Sequence, residues 1–288
     1  MSDATLRVEG LGAPIKGPTA LGNDPRRLLR LTWALAVTDW RLRFFGSALG
    51  YLWSLVQPLM LFGVLYVVFS QLLNFSGDER YYPVALLLGI VMYSFLNEAT
   101  SGAVRSLVNR ENLVRKIEFP RLAVPLATVL TACFNLALNL VPVLVFLIAS
   151  GGRPRWTWLE MPLLLAVLTA MAAGIAMLLS ALFVRYRDIE PIWTVILQIV
   201  FYATPIFYTV SIVLDKANET VVRLMLCNPF AAMLQQARFA FVDSSHPSLG
   251  AAMGGVLWIG LPLLVTVAVC IGGYVVFSRA APRVAEEL

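Results

Sequence analysis

Six apolar runs constrain this chain more than any other feature. They cover residues 52–73, 83–104, 122–148, 162–184, 191–210 and 251–277. About 20 apolar residues are what a helix needs to cross the hydrocarbon core of a bilayer. Backbone polar groups cannot face lipid unpaired, so helices are the economical reading. A β-barrel would show alternating strands of about ten residues, and these runs are continuous. The expected fold is therefore an all-α integral membrane protein with six transmembrane helices. Composition agrees, at 59% hydrophobic, 14% charged and a mean hydropathy of +0.78. A soluble globule carries about 25% charge to cover its surface. A soluble enzyme, a disordered protein and a disulfide scaffold are excluded. The three cysteines, Cys133, Cys227 and Cys270, are an odd number, and His246 is the lone histidine. A histidine-based metal site or triad does not follow from that inventory.

The net charge of +5 is sorted along the chain. Sixteen of the 22 lysines and arginines lie in the N-terminal segment, the 105–121 and 185–190 loops and the C-terminal tail. Six lie in the three intervening loops. The positive-inside rule then puts both termini in the cytoplasm. It also accounts for the positive charge through topology and anionic membrane lipids, so no nucleic acid partner is implied. The first 25 residues contain no apolar core with a cleavage site, so no signal peptide is expected. The chain divides into a flexible cytoplasmic N-terminus (1–24), a transmembrane domain (25–278) and a cytoplasmic tail (279–288).

Three segments outside the spans carry patterns. Asp24-Pro25 suits a helix start, and Leu29, Trp33, Val37, Trp40 and Phe44 then share one helical face. Arg26, Arg30, Arg41 and Arg43 make this helix basic, as expected of a helix lying in the membrane interface. In the 105–121 loop, Asn109 is placed to cap a short helix reaching Lys116, with an apolar ridge of Leu113, Val114 and Ile117 and a basic rim. Such a ridge suits a cytoplasmic partner. Residues 211–250 are long for a structureless connection. They hold two short amphipathic patterns, the second opened by Asn228-Pro229, that fit helices dipping into the outer leaflet.

The chemistry of energy supply is missing. None of Lys16, Lys116 and Lys216 sits in a phosphate-binding loop. Only Glu98 places an ionisable group in a predicted span, near its cytoplasmic end. Paired carboxylates and metal clusters are not seen in the spans. Asn135 and Asn139, one turn apart in the third span, suit interhelical hydrogen bonding. The chain itself calls for no cofactor and no metal. Transport driven by a separate ATPase is the simplest reading. Two aromatic stripes remain: Tyr51, Phe62, Tyr66 and Phe69 in the first span, and Trp193, Phe201 and Tyr208 in the fifth. They suit packing or, since sugar C–H faces stack on aromatics, the lining of a glycan path.

The ordered set of motifs resembles the type-2 permeases of polysaccharide and polyol-phosphate ABC exporters, which carry O-antigen, galactan or teichoic acid. It comprises the run from Arg41 to Pro58, Tyr82-Pro83 through Gly89, the N-L-V-R-K-I-E-F-P-R stretch ending at Arg121, Tyr186-Arg187-Asp188 and Asn228-Pro229. The resemblance spans about residues 25–278. It implies a homodimer of six-span subunits above two ATPase subunits, which hold the ATP and Mg²⁺. It implies an interfacial gate helix at 26–45, with Trp33, Trp40, Arg41 and Arg43 meeting the diphosphate head group of a polyprenyl-linked glycan. It implies a coupling helix at 109–117, with Asn112, Leu113, Arg115, Lys116 and Ile117 meeting the ATPase, and re-entrant outer helices at 211–242. A small lipid or drug as cargo, and a membrane-embedded glycosyltransferase or scaffold without an ATPase, are the competing readings.

Overall fold

The computed structural model describes residues 24–45, 50, 52–73, 81–114, 119–216, 218–244 and 246–282. Every regular element among these residues is helical. In chain order they are α1 (Pro25–Phe44), α2 (Leu52–Tyr66, prolonged by a π-helical turn Val67–Leu72), α3 (Tyr82–Val104), α4 (Glu111–Val114), α5 (Ala123–Ala149), α6 (Glu160–Arg185), α7 (Ile189–Ala203), α8 (Val210–Lys216), α9 (Glu219–Leu226), α10 (Pro229–Ala237, prolonged by a π-helical turn Arg238–Val242), α11 (Leu249–Ala252) and α12 (Gly260–Ala280). Residues 1–23 of the expected flexible terminus (1–24) and the end of the tail, 283–288, lie outside the described residues.

Five helices are long and apolar enough to cross a membrane, and they fall on five of the six expected spans. The sixth expected span, 191–210, falls on a shorter apolar helix that is not among the five. α7 has 15 residues, about 22 Å at 1.5 Å per residue, against a hydrocarbon core of about 30 Å. Its stop is local. Pro205 follows, and a residue before proline is driven out of the helical region; Thr204 is extended, at φ −89° and ψ 140°. The last span also begins later than its hydropathy suggests. Gly254 and Gly255 adopt φ of 74° and 153°, which breaks the run between α11 and α12. Arg223 of α9 staples that break, donating to the Met253 carbonyl at 3.1 Å and lying 5.4 Å from the Trp258 ring.

α3 is the centre of the bundle. Its apolar window is 72% buried, against 11% for α2 and 17% for the last span. The core joins Val84–Met92 of α3 with Val129, Ala132 and Leu136 of α5, Leu168 and Ala172 of α6, and Phe230 and Leu234 of α10. α6 and α12 cross at a glycine pair. A Cβ on Gly174 would stand 2.8 Å from the Cys270 Cα, and one on Gly273 would overlap the Gly174 carbonyl. Small residues let two helix backbones approach where lipid supplies no hydrophobic drive.

The loops sort into two ends. At one end α1, the 105–114 loop and the start of α7 meet, through ion pairs Arg110–Asp39 and Arg105–Glu190. Leu28, Leu107, Val114, Met177, Val184 and Phe277 pack beneath them. At the opposite end Arg155 donates to the Val242 carbonyl at 2.9 Å and pairs with Asp243 at 3.2 Å. Gln236 donates there to Glu160 at 2.7 Å. The loops that the charge count assigns to one side thus share one end of the molecule.

Between α7 and α11 lie three helices, α8 to α10, where the sequence pattern showed two. Asn228 does cap α10, accepting from the Phe230 N–H at 3.0 Å. Arg238 is 1% exposed and donates to the Ile206 and Tyr208 carbonyls at 2.7 and 3.2 Å. Those carbonyls follow the end of α7 and have no helical partner, so a buried guanidinium satisfies them. His246 is buried nearby. Desolvation, then the Arg238 guanidinium, push its pKa down to about 4, and Asp243 opposes the shift. The folded form holds a neutral imidazole, whereas the unfolded chain takes a proton near pH 6.5. Stability is therefore complete above pH 6.5 and falls as pH drops toward 4, by about 3 kcal/mol at most. The melting temperature should drop over that window, and His246→Asn should flatten the drop; an equal drop in the variant refutes the assignment.

Candidate functional site

The candidate site is where α1 lies on α3 and α5. Asp24 caps α1 by accepting from the Arg26 N–H at 2.8 Å, and Pro25 occupies the first turn. The packed face is not the apolar stripe. Leu28, Thr32 and Ala36 are buried against the protein, while Leu29 and Trp33 stay 68% and 58% exposed. Leu29 and much of Trp33 stay open, and Leu28, Thr32 and Ala36 carry the closest helix contact. The Ala36 carbonyl accepts from the Thr131 hydroxyl of α5 at 3.3 Å.

The two tryptophans assigned to this helix meet on one residue. Trp33 and Trp40 set their rings edge-on to Phe134 of α5, at 5.5 and 5.8 Å between centroids. Trp40 also donates from Nε1 to Asn135 Oδ1 at 3.0 Å. Asn135 Nδ2 donates in turn to Glu98 Oε1 of α3 at 2.6 Å, and the same carboxylate oxygen takes Arg43. Four side chains from three helices thus form one polar chain, Trp40–Asn135–Glu98–Arg43. Arg41 is exposed. The two arginines are therefore unequal: Arg43 is engaged by a carboxylate, and Arg41 is open to the surface.

The sequence puts Glu98 near a span end and suits Asn135 and Asn139 to interhelical hydrogen bonding, which Asn135 makes with Trp40 and Glu98. The structure makes Glu98 a hub, and Asn139 only bonds back to the Asn135 carbonyl at 3.0 Å. The signal was there in Glu98 as a lone carboxylate inside an apolar run. Its partners lie 55 and 37 residues away, so no local pattern could name them.

The inner loop differs from its expected form. Asn109 does not cap a helix; it lies inside a 3-10 turn, Val108–Arg110, entered from a helical Leu107. α4 follows directly. Asn112 is exposed, Leu113 half-buried, and Val114 fully buried among Leu28, Leu107 and Leu122. Arg115, Lys116 and Ile117 lie outside the described residues. The Arg110–Asp39 pair ties this loop to α1.

The aromatic stripes divide into three places. Phe62 is 9% exposed, stacked 5.7 Å from Tyr66 and edge-on to Phe146 at 5.8 Å. Its ring is thus used for packing inside the subunit. Trp193 sits in the first turns of α7, donating to Thr100 at 3.0 Å. Phe69, Phe201 and Tyr208 are brought together at the opposite end by Phe207, which lies 4.5, 6.0 and 5.1 Å from them. Phe207 belongs to neither stripe, because it lies in the irregular stretch after α7 and follows no helical period. Tyr51 lies outside the described residues.

An O-antigen export system permease protein RfbA of Klebsiella pneumoniae is 25% identical over 254 residues, covering 87% of this chain and 92% of its own length. One from Myxococcus xanthus is 23% identical over 214 residues, covering 74% and 81%. Residues 30–242, from within α1 to the last residue of the outer π-helical turn, match the ABC-2 type transporter family. A multi-pass helical chain with this match is a transport subunit rather than an enzyme, and it belongs to the ABC-2 type transporter family.

Proposed function

We propose that the chain is the membrane subunit of an exporter that carries a polyprenyl-diphosphate-linked polysaccharide across the bacterial cytoplasmic membrane, with both termini inside. The observation that carries this reading is the nearly full-length similarity to an O-antigen export permease. Two copies assemble side by side. The wide apolar surfaces of α2 and the last span, little buried within one subunit, leave room for a second copy and for lipid. ATP, with its Mg²⁺, is bound and hydrolysed in two partner subunits seated on the 105–117 loop. O-antigen, galactan and teichoic acid are the cargoes this architecture suits.

Within that scheme α1 is the gate helix, and α8 to α10 are the re-entrant outer helices. Arg41 and Arg43 meet the diphosphate, since guanidinium forks match phosphate oxygens. Trp33 and Trp40 hold the helix at head-group depth. Tyr66, Phe69, Trp193, Phe201 and Tyr208, all half-buried, line the glycan path.

Arg41→Gln tests the head-group role cleanly, because Arg41 is exposed and its loss strips no packing. In vesicles holding the permease, its ATPase and a polyprenyl-diphosphate glycan, export should fall at least about tenfold with assembly intact. Unchanged export with Arg41→Gln and with Arg43→Gln overturns the head-group assignment. Transport of a small lipid, with none of the glycan, overturns the cargo.

A further inference from the structure

We propose that Glu98 is an internal counter-anion, which holds Arg43 in place of the substrate's head group until that head group displaces it. The idea rests on the reading of Arg41 and Arg43 as the diphosphate site, and it names what regulates that site.

The geometry has three parts. Glu98 is fixed before any ligand arrives: Asn135, on a neighbouring span, donates to its Oε1 at 2.6 Å. Arg43 comes to the same oxygen from the last turn of α1, on a long side chain that is 50% exposed. Glu98 itself is 26% exposed. An ion pair so placed is within reach of a ligand at the membrane surface and is weak enough to exchange, since half-exposed pairs contribute about 1 kcal/mol or less. A diphosphate offers several charged oxygens and a bidentate fit, against one carboxylate oxygen used here.

The pair also carries positional information. Trp40 lies one turn before Arg43 and donates to the same Asn135 that holds Glu98. With Arg43 on Glu98, both Trp40 and Arg43 tie the end of α1 to the span bundle. With Arg43 on a diphosphate, the Arg43 tie is lost and those of Trp40 remain. The ligand thereby loosens the end of α1 by taking its arginine. Asp39, one residue before Trp40, holds Arg110 of the inner loop, so the loosened end is continuous with the loop proposed to meet the ATPase.

Chemistry of this kind recognises a lipid diphosphate over a neutral lipid. It predicts that the resident carboxylate lowers the affinity for the ligand. The permease–ATPase complex in nanodiscs is titrated with polyprenyl diphosphate, with polyprenol as the neutral control. Glu98→Gln keeps the acceptor for Asn135 and removes the charge. Binding of the diphosphate should tighten about fivefold, a change typical of one partly exposed ion pair, with polyprenol unaffected. Glu98→Asp, which draws the carboxylate back toward α3, should act in the same direction but less. Arg43→Gln should weaken binding, and Glu98→Gln added to it should bring no further change. Equal or weaker binding by Glu98→Gln and Glu98→Asp, while Arg43→Gln still weakens it, overturns the counter-anion role alone. Wild-type binding by both Arg41→Gln and Arg43→Gln overturns the head-group reading beneath it.

Discussion

Gly273→Ala should remove most of the folded chain from the membrane. The added methyl group would overlap the carbonyl oxygen of Gly174 on α6. Overpacking a core by a methyl group costs about 1–3 kcal/mol when side chains can yield. Here the obstacle is helix backbone, so α12 as a whole must move away from α6. The neighbouring Gly272 is the control, because a Cβ there meets nothing within 4 Å. Monodispersity after extraction and the melting temperature should collapse for Gly273→Ala and stay near wild type for Gly272→Ala. Equal behaviour of the two would mean that the helices do not meet at this pair.

Leu113→Asp should abolish export while leaving the permease inserted. Leu113 is half-buried, between the exposed Asn112 and the fully buried Val114 in the chain. A new carboxylate on the proposed docking ridge places an unpaired charge in an apolar contact, which is costly at an interface. Copurification of the ATPase subunit should fall to background and export with it. An unchanged melting temperature separates a lost contact from a misfolded chain. Full assembly and wild-type export would refute docking at this loop.

Much of the architecture was legible because lipid makes the rules simple. Backbone pairing forces helices, and apolar length marks them, so α2, α3, α5 and α6 lie within three residues of their hydropathy bounds. Asp24-Pro25 and Asn228-Pro229 announced their helices because capping acts within two residues. Basic loops fell together at one end, since charge is excluded from the spans.

Hydropathy could not see where a crossing breaks. The stop of α7 depends on Thr204 and Pro205, and on a buried Arg238 from 32 residues on that pairs the carbonyl of Ile206. Nor could periodicity choose the packed face of α1. The apolar stripe predicts which side avoids water, and in a membrane lipid satisfies that need as well as protein does. The sequence by itself therefore determined that this is a helical membrane protein with a basic amphipathic helix at its start. Only the tertiary structure decided that Arg43 rests on Glu98, with Asn135 and Trp40 completing the link. The reason is physical: the hydrophobic effect is local and periodic along the chain, whereas a buried polar bond needs one partner at one place, wherever in the sequence it lies.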